Sequence, residues 1–201
     1  MSTENTTVVF DLGNVVLFFD HWIICRKLAD LYDLSEHFVF QRIFNEGIER
    51  EYDEGRLSPE QFTRQCSEAL KVQLDFSQFK AIWSNIFWEN SPVVDIIKVL
   101  KRRTRVFLLS NTNVWHVEYI RRNFRILELF DELIFSFEVG YAKPDKRIFT
   151  RTLELCNGNK QIIYVDDIEE HVRAARDVGL FGIKYSGADM LCSTLSSKEL
   201  L

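Results

Sequence analysis

Five short apolar runs constrain this chain more than any other feature it has. They occupy residues 8–10, 106–109, 133–135, 162–165 and 181–184. The first four are rich in Val, Ile, Leu and Phe and show no polar alternation, which predicts strands buried on both faces. From Ser91 onward, helical patterns separate these runs, and Gly179 supplies a helix stop before the last one. Strands joined through helices need crossover connections, and these build a parallel sheet covered on both sides. The fold class read from this pattern is α/β, a three-layer Rossmann-like domain.

The first two strands are separated by a long stretch that reads differently. Residues 21–90 carry helical spacing and no convincing strand. Ser58-Pro59-Glu60-Gln61 has the form of a capping box with Pro at the first helical position. Asp75 repeats that logic ahead of Phe79, Ile82, Trp83, Ile86 and Phe87. The expected division is therefore a discontinuous core of residues 1–17 and 91–201, with an α-helical cap of residues 18–90 inserted after strand 1.

Composition sets the outer limits. The chain has 201 residues, enough for one sizeable core with a small insert. A net charge of −5 gives no support to nucleic-acid binding. No apolar run reaches membrane-spanning length, and residues 1–7 carry no basic region, so neither membrane insertion nor secretion is expected. Cys25, Cys66, Cys156 and Cys192 lack metal or redox spacing and are read as buried reduced thiols of a cytoplasmic protein.

Polar signals fall just after four of the strands: Asp11, Ser110-Asn111, Lys143 and Asp166-Asp167. Strand ends in a parallel sheet face one way, so these groups converge on one edge, where such sheets collect ligands. Together with FDLGNV, LLSNTN, YAKPD and YVDDIEEHV, this set resembles the haloacid dehalogenase-like (HAD) hydrolase superfamily over essentially the whole chain. The first motif, followed by a helical cap, looks most like the sugar-phosphate phosphatase branch, α-glucose-1-phosphate phosphatases included.

The resemblance implies a sheet order of 5-4-1-2-3 and a Mg²⁺-dependent phosphatase acting on a small phosphorylated metabolite, plausible as a sugar phosphate. Asp11 would be the nucleophile that forms an aspartyl phosphate and also a metal ligand. Asp166 and the backbone carbonyl of Gly13 would complete the metal site, with Asp167 a ligand through water or an anchor behind the ligands. The Ser110 hydroxyl and the Asn111 N–H would hold phosphoryl oxygens, with Lys143 balancing charge. His171 is read either as orienting Asp167 or as a surface histidine.

One position departs from the pattern. Most phosphatases of the superfamily place a second Asp two residues after the nucleophile as general acid and base, and here Gly13 stands there. Either the leaving group needs little acid help, or the cap supplies a group, with Glu46 beside Gly47 as the candidate. Gly13 is also the main argument for a catalytically silent binding module. A 2-haloacid dehalogenase is a further alternative, opposed by the missing aromatic residue two positions after Asp11. Oligomeric state is not readable from the sequence.

Overall fold

The computed structural model describes residues 6–156, 158 and 161–201. The chain opens with β1 (Thr6–Phe10), in which every residue is buried. A short strand, β2 (Leu17–Phe19), leads into helices α1 (Trp22–Tyr32), α2 (Glu36–Phe40), α3 (Ile48–Asp53), α4 (Pro59–Leu70) and α5 (Phe76–Ser84). After β3 (Phe87–Glu89) come α6 (Ser91–Leu100), β4 (Arg105–Ser110), α7 (Val114–Asn123), β5 (Glu132–Phe135) and α8 (Ser136–Val139). The chain then runs through α9 (Lys146–Leu155), β6 (Gln161–Asp166), α10 (Glu169–Asp177), β7 (Phe181–Lys184) and α11 (Ala188–Ser196).

β1 is the middle strand of a five-stranded parallel sheet, with β4 and then β5 on one side and β6 and then β7 on the other. Numbered among themselves, these five strands run 5-4-1-2-3. Side chains alternate across the sheet with the two-residue period of a strand. Val8, Phe10, Val106, Leu108, Ile163 and Val165 join a cluster with α6, α7 and α11. Val9, Phe107, Leu109, Ile134 and Tyr164 face Ile148 and Phe149 of α9 and Ala174 and Ala175 of α10. Three layers result.

The helical stretch has its own aromatic core, in which Phe62 meets Tyr52 at 4.2 Å and Trp83 at 4.7 Å between ring centroids. Trp115 of α7 packs into the same cluster and joins it to the sheet domain. The capping box forms as the sequence predicts: Gln61 N donates to Ser58 Oγ at 3.2 Å and Ser58 N to Gln61 Oε1 at 2.7 Å.

Three sequence expectations are corrected. Residues 87–89 are strand, not the tail of α5, because the helix ends at Ser84 and Asn85 leaves the helical conformation. Ile82, Ile86 and Phe87 fit helical spacing, but Phe19 pairs with Phe87 and Phe18 with Trp88 in an antiparallel ribbon. The chain thus leaves for the helices and returns from them through paired strands. The helix expected around residues 38–44 is α2 followed by a π-helical turn over Gln41–Asn45. All four cysteines are free thiols, and Cys192 is exposed rather than buried. The sequence also reads a helix break at Gly158-Asn159, and that pair falls partly outside the described residues. No helix among the described residues is long and apolar enough to cross a membrane.

Asn90 fastens the base of the ribbon. Its buried Nδ2 donates to the Val15 carbonyl at 2.7 Å and to the Tyr185 hydroxyl at 2.9 Å. Replacing it with Ala leaves both acceptors buried without this donor. A loss of about 1–3 kcal/mol is expected for Asn90→Ala, read as a lower urea midpoint at unchanged slope.

Candidate active site

Asp11 follows β1 directly, and its backbone N–H still donates to the Val165 carbonyl at 2.8 Å, as if the strand continued. That ladder bond fixes the direction of the side chain. Its Oδ1 accepts from Leu12 N and from Lys143 Nζ, both at 2.7 Å. The same ammonium donates to Asp166 Oδ2 at 2.9 Å and to the Leu109 carbonyl at 3.2 Å. All three side chains are buried. Lys143 is held by Asn111, whose amide accepts from Lys143 N at 2.7 Å and donates to its carbonyl at 2.9 Å. Asn111 therefore grips the backbone of the lysine that completes the site.

Asp166 is the most heavily bonded carboxylate. Besides Lys143 it accepts from Ile168 N at 2.7 Å and from the Tyr164 hydroxyl, and His171 Nδ1 lies 3.1 Å from Oδ2. His171 is buried and serves Asp166, so neither alternative drawn from the sequence describes it. Carboxylate oxygens of Asp11, Asp166 and Asp167 lie within 4.8 Å of one another.

Charge at this edge is unbalanced. Burial raises Asp11 to about 7, outweighing the ammonium of Lys143, and the charges of Asp166 and Asp167 add to the rise. Burial also raises Asp167, helped by Asp166. Burial works against ionised Asp166 too, but Lys143 and His171 overcome it and hold that carboxyl below the usual range. Three carboxylates thus share one ammonium. An all-oxygen donor set with surplus negative charge fits a hard divalent cation.

Asp11, Lys143, Asp167 and His171 line a cavity of about 320 Å³ together with Gly13, Ser110 and Asn111. Glu46 does not line it. It ends the π-helical turn and pairs with Arg42, four residues back on the same turn. Gly47 then takes a left-handed conformation (φ +84°), and the chain restarts as α3 in a new direction. Two acidic residues missed in the sequence, Glu49 and Asp53, stand one turn apart on α3 and do line the cavity. Their i, i+4 spacing after Gly47 is the signal that could have found them.

Asp53 Oδ1 accepts from Asn113 Nδ2 at 2.8 Å, and burial raises its pKa to about 7. Burial, with the charge of Asp53, pushes Glu49 well above the carboxylate range. Glu49 Oε1 lies 3.2 Å from His21 Nε2, and burial lowers His21 to about 4. Phe19 and Phe87 supply aromatic wall.

The family model described as haloacid dehalogenase-like hydrolase matches residues 6–179. Among curated proteins, the chain is 24% identical over 180 residues to D-ribitol-5-phosphate phosphatase of Bacteroides thetaiotaomicron, covering 86% of this chain and 87% of the other. It is 22% identical over 206 residues to the sesquiterpene phosphatase astK of Aspergillus oryzae, covering 100% and 99%. A HAD family enzyme from Bacteroides thetaiotaomicron, solved in complex with magnesium and inorganic phosphate, superposes with a TM-score of 0.77 at 22% identity, over 90% of this chain and 94% of that one.

Lys143→Met keeps most of the side-chain volume and removes the charge shared by two buried carboxylates. A destabilisation of about 3–5 kcal/mol is expected at pH 7, measured by urea unfolding. Asp166 has a folded pKa below its unfolded value, so the stability it gains from Lys143 is present above about pH 4 and fades as pH falls. The gap between the variant and the wild type should therefore narrow toward pH 3.

Proposed function

The chain belongs to the haloacid dehalogenase-like hydrolase family, and from that premise we propose that it is a magnesium-dependent phosphatase. It hydrolyses a small phosphomonoester of the sugar-phosphate type through an aspartyl phosphate on Asp11. The observation that carries this reading is Lys143, whose ammonium bridges Asp11 and Asp166 beside the third carboxylate, Asp167. Two relatives named as phosphatases and a related fold holding magnesium and phosphate support it.

Asp11 attacks phosphorus in line with the departing ester oxygen. The Ser110 hydroxyl and the Asn111 N–H bind phosphoryl oxygens, and Lys143 offsets charge gathering on them. Asp11, Asp166 and the Gly13 carbonyl, with Asp167 as ligand or anchor, would hold a magnesium ion, which would supply the positive charge that lets a carboxylate approach a phosphate dianion. Water then attacks the acyl phosphate, frees inorganic phosphate and restores Asp11. His171 and Tyr164 keep Asp166 ionised and oriented.

Residues 18–90 act as the cap that closes over the ester's organic part. Lys143 is the one lysine or arginine among the described residues lining the cavity. A leaving group with a second anionic group would find no partner there, whereas hydroxyls could bond to Glu49 and Asp53. That contrast favours a neutral, hydroxylated leaving group. A cytoplasmic setting goes with this reading, since all four cysteines are free thiols.

Phosphate release from a panel of sugar and polyol phosphates with Mg²⁺ tests the reading. Asp11→Asn should fall to background, and EDTA should abolish turnover until Mg²⁺ is restored. Full activity in that variant, or turnover indifferent to EDTA, would overturn it.

A further inference from the structure

Resting on the phosphatase reading above, we infer that Glu49 is the general acid and base of the reaction, taking the part that Gly13 leaves open. The first observation concerns Gly13 itself. A Cβ at that position would lie 2.7 Å from a ring carbon of Phe19. The space a side chain at residue 13 would enter is thus filled by an aromatic ring from β2. The group that serves the leaving oxygen has to come from elsewhere in the cavity wall.

In-line attack places the leaving oxygen on the side of phosphorus away from Asp11. Asp11 stands at the sheet edge, so the leaving oxygen faces the wall built by the helical stretch. Several titratable groups line the cavity, and most already have work. Lys143 and Asp167 belong to the cluster around Asp11, and His171 faces Asp166. His116 has Nδ1 3.1 Å from the Asn113 amide and Nε2 3.2 Å from the Trp83 carbonyl, so both ring nitrogens are engaged. Asp53 accepts from Asn113 and ties α3 to the start of α7. Glu49 and His21 remain, in contact with each other at 3.2 Å.

Of these two, Glu49 carries the proton. His21 is stacked on Phe44 at 4.5 Å and packs against Phe19 at 4.8 Å between centroids, and burial favours its neutral form. Glu49, half-buried beside Asp53, is drawn by burial and by that neighbouring charge above the usual carboxylate range, the direction an acid needs before it can donate. His21 is a positioning residue that holds the Glu49 carboxyl through Nε2. The contacts run without a gap from Gly13 to Phe19, His21 and Glu49.

The steps balance. As the bond from Asp11 oxygen to phosphorus forms, the bond from phosphorus to the ester oxygen breaks, and that oxygen takes the Glu49 proton and leaves as an alcohol. Glu49 is now a carboxylate. It removes a proton from water as the water oxygen bonds to phosphorus and the bond to Asp11 breaks. Inorganic phosphate departs with Asp11 ionised and Glu49 protonated again.

The test compares kcat/KM of wild type and Glu49→Gln on two esters: p-nitrophenyl phosphate, whose leaving group needs no proton, and the best unactivated sugar or polyol phosphate found for the wild type. Because kcat/KM stops at expulsion of the leaving group, the later hydrolysis step does not enter it. The variant should lose about 10²–10⁴-fold on the alkyl ester and stay within about threefold on the aryl ester. Gly13→Asp added to it should not restore the alkyl activity, given the ring of Phe19. An equal loss on both esters, or no loss on the alkyl ester, overturns the assignment. A wild type that releases phosphate from neither ester sinks the phosphatase reading, and this assignment with it.

Discussion

A buried ammonium group shared by two carboxylates is the constraint on which this protein is built. Lys143 reaches Asp11 across 132 residues of sequence and Asp166 across 23. Each of the three buried groups would be costly alone, and only their meeting makes any of them tolerable. The sheet order serves that meeting. With β1 next to β6, Asp11 and Asp166 become neighbours, and β4 delivers Asn111, whose side-chain amide grips the lysine's backbone from both sides. The fold and the chemistry therefore share one set of hydrogen bonds.

That set is anionic in excess, and the excess has a use. Asp11 and Asp167 are both drawn toward protonation. A divalent ion beside them would restore charge balance and oppose that pull. Further out the sign of the problem reverses. Glu49 and Asp53 are half-buried one turn apart on α3, and burial draws both carboxyls toward protonation. One cavity thus holds two acidic clusters, one suited to a metal and the other to a proton.

Much of this was legible in the sequence because strand ends in a parallel sheet leave a simple trace. An apolar run that stops at a polar residue marks where a side chain emerges. Three such stops, at Asp11, Ser110 and Asp166, pointed to one edge, whereas Lys143 reaches it from the loop beyond α8 rather than directly after a strand. Asp11, Ser110, Asn111, Lys143, Asp166 and Asp167 all line or adjoin the same cavity. The helical stretch left no comparable trace. Glu46 and Glu49 look equivalent on paper, but the helix break at left-handed Gly47 lies between them and only Glu49 lines the cavity. Phe87 fits a helix by spacing and a strand by its partner, and that partner, Phe19, lies far away in sequence. Contacts of that range decide the structure and are invisible to local pattern.

The paired strands β2 and β3 carry a consequence for how such enzymes diverge. Both passages of the polypeptide between its halves run through a single ladder, fastened at its foot by Asn90. An exchange of the helical half between relatives would need its seam below that ladder, so that each donor brings both rails of its own. Cutting above it, at the helix ends, would force foreign rails to pair in a register neither was selected for. Recombination within this family should thus favour whole cassettes, which can be replaced entire while the sheet edge that carries Asp11 and Asp166 stays as it is.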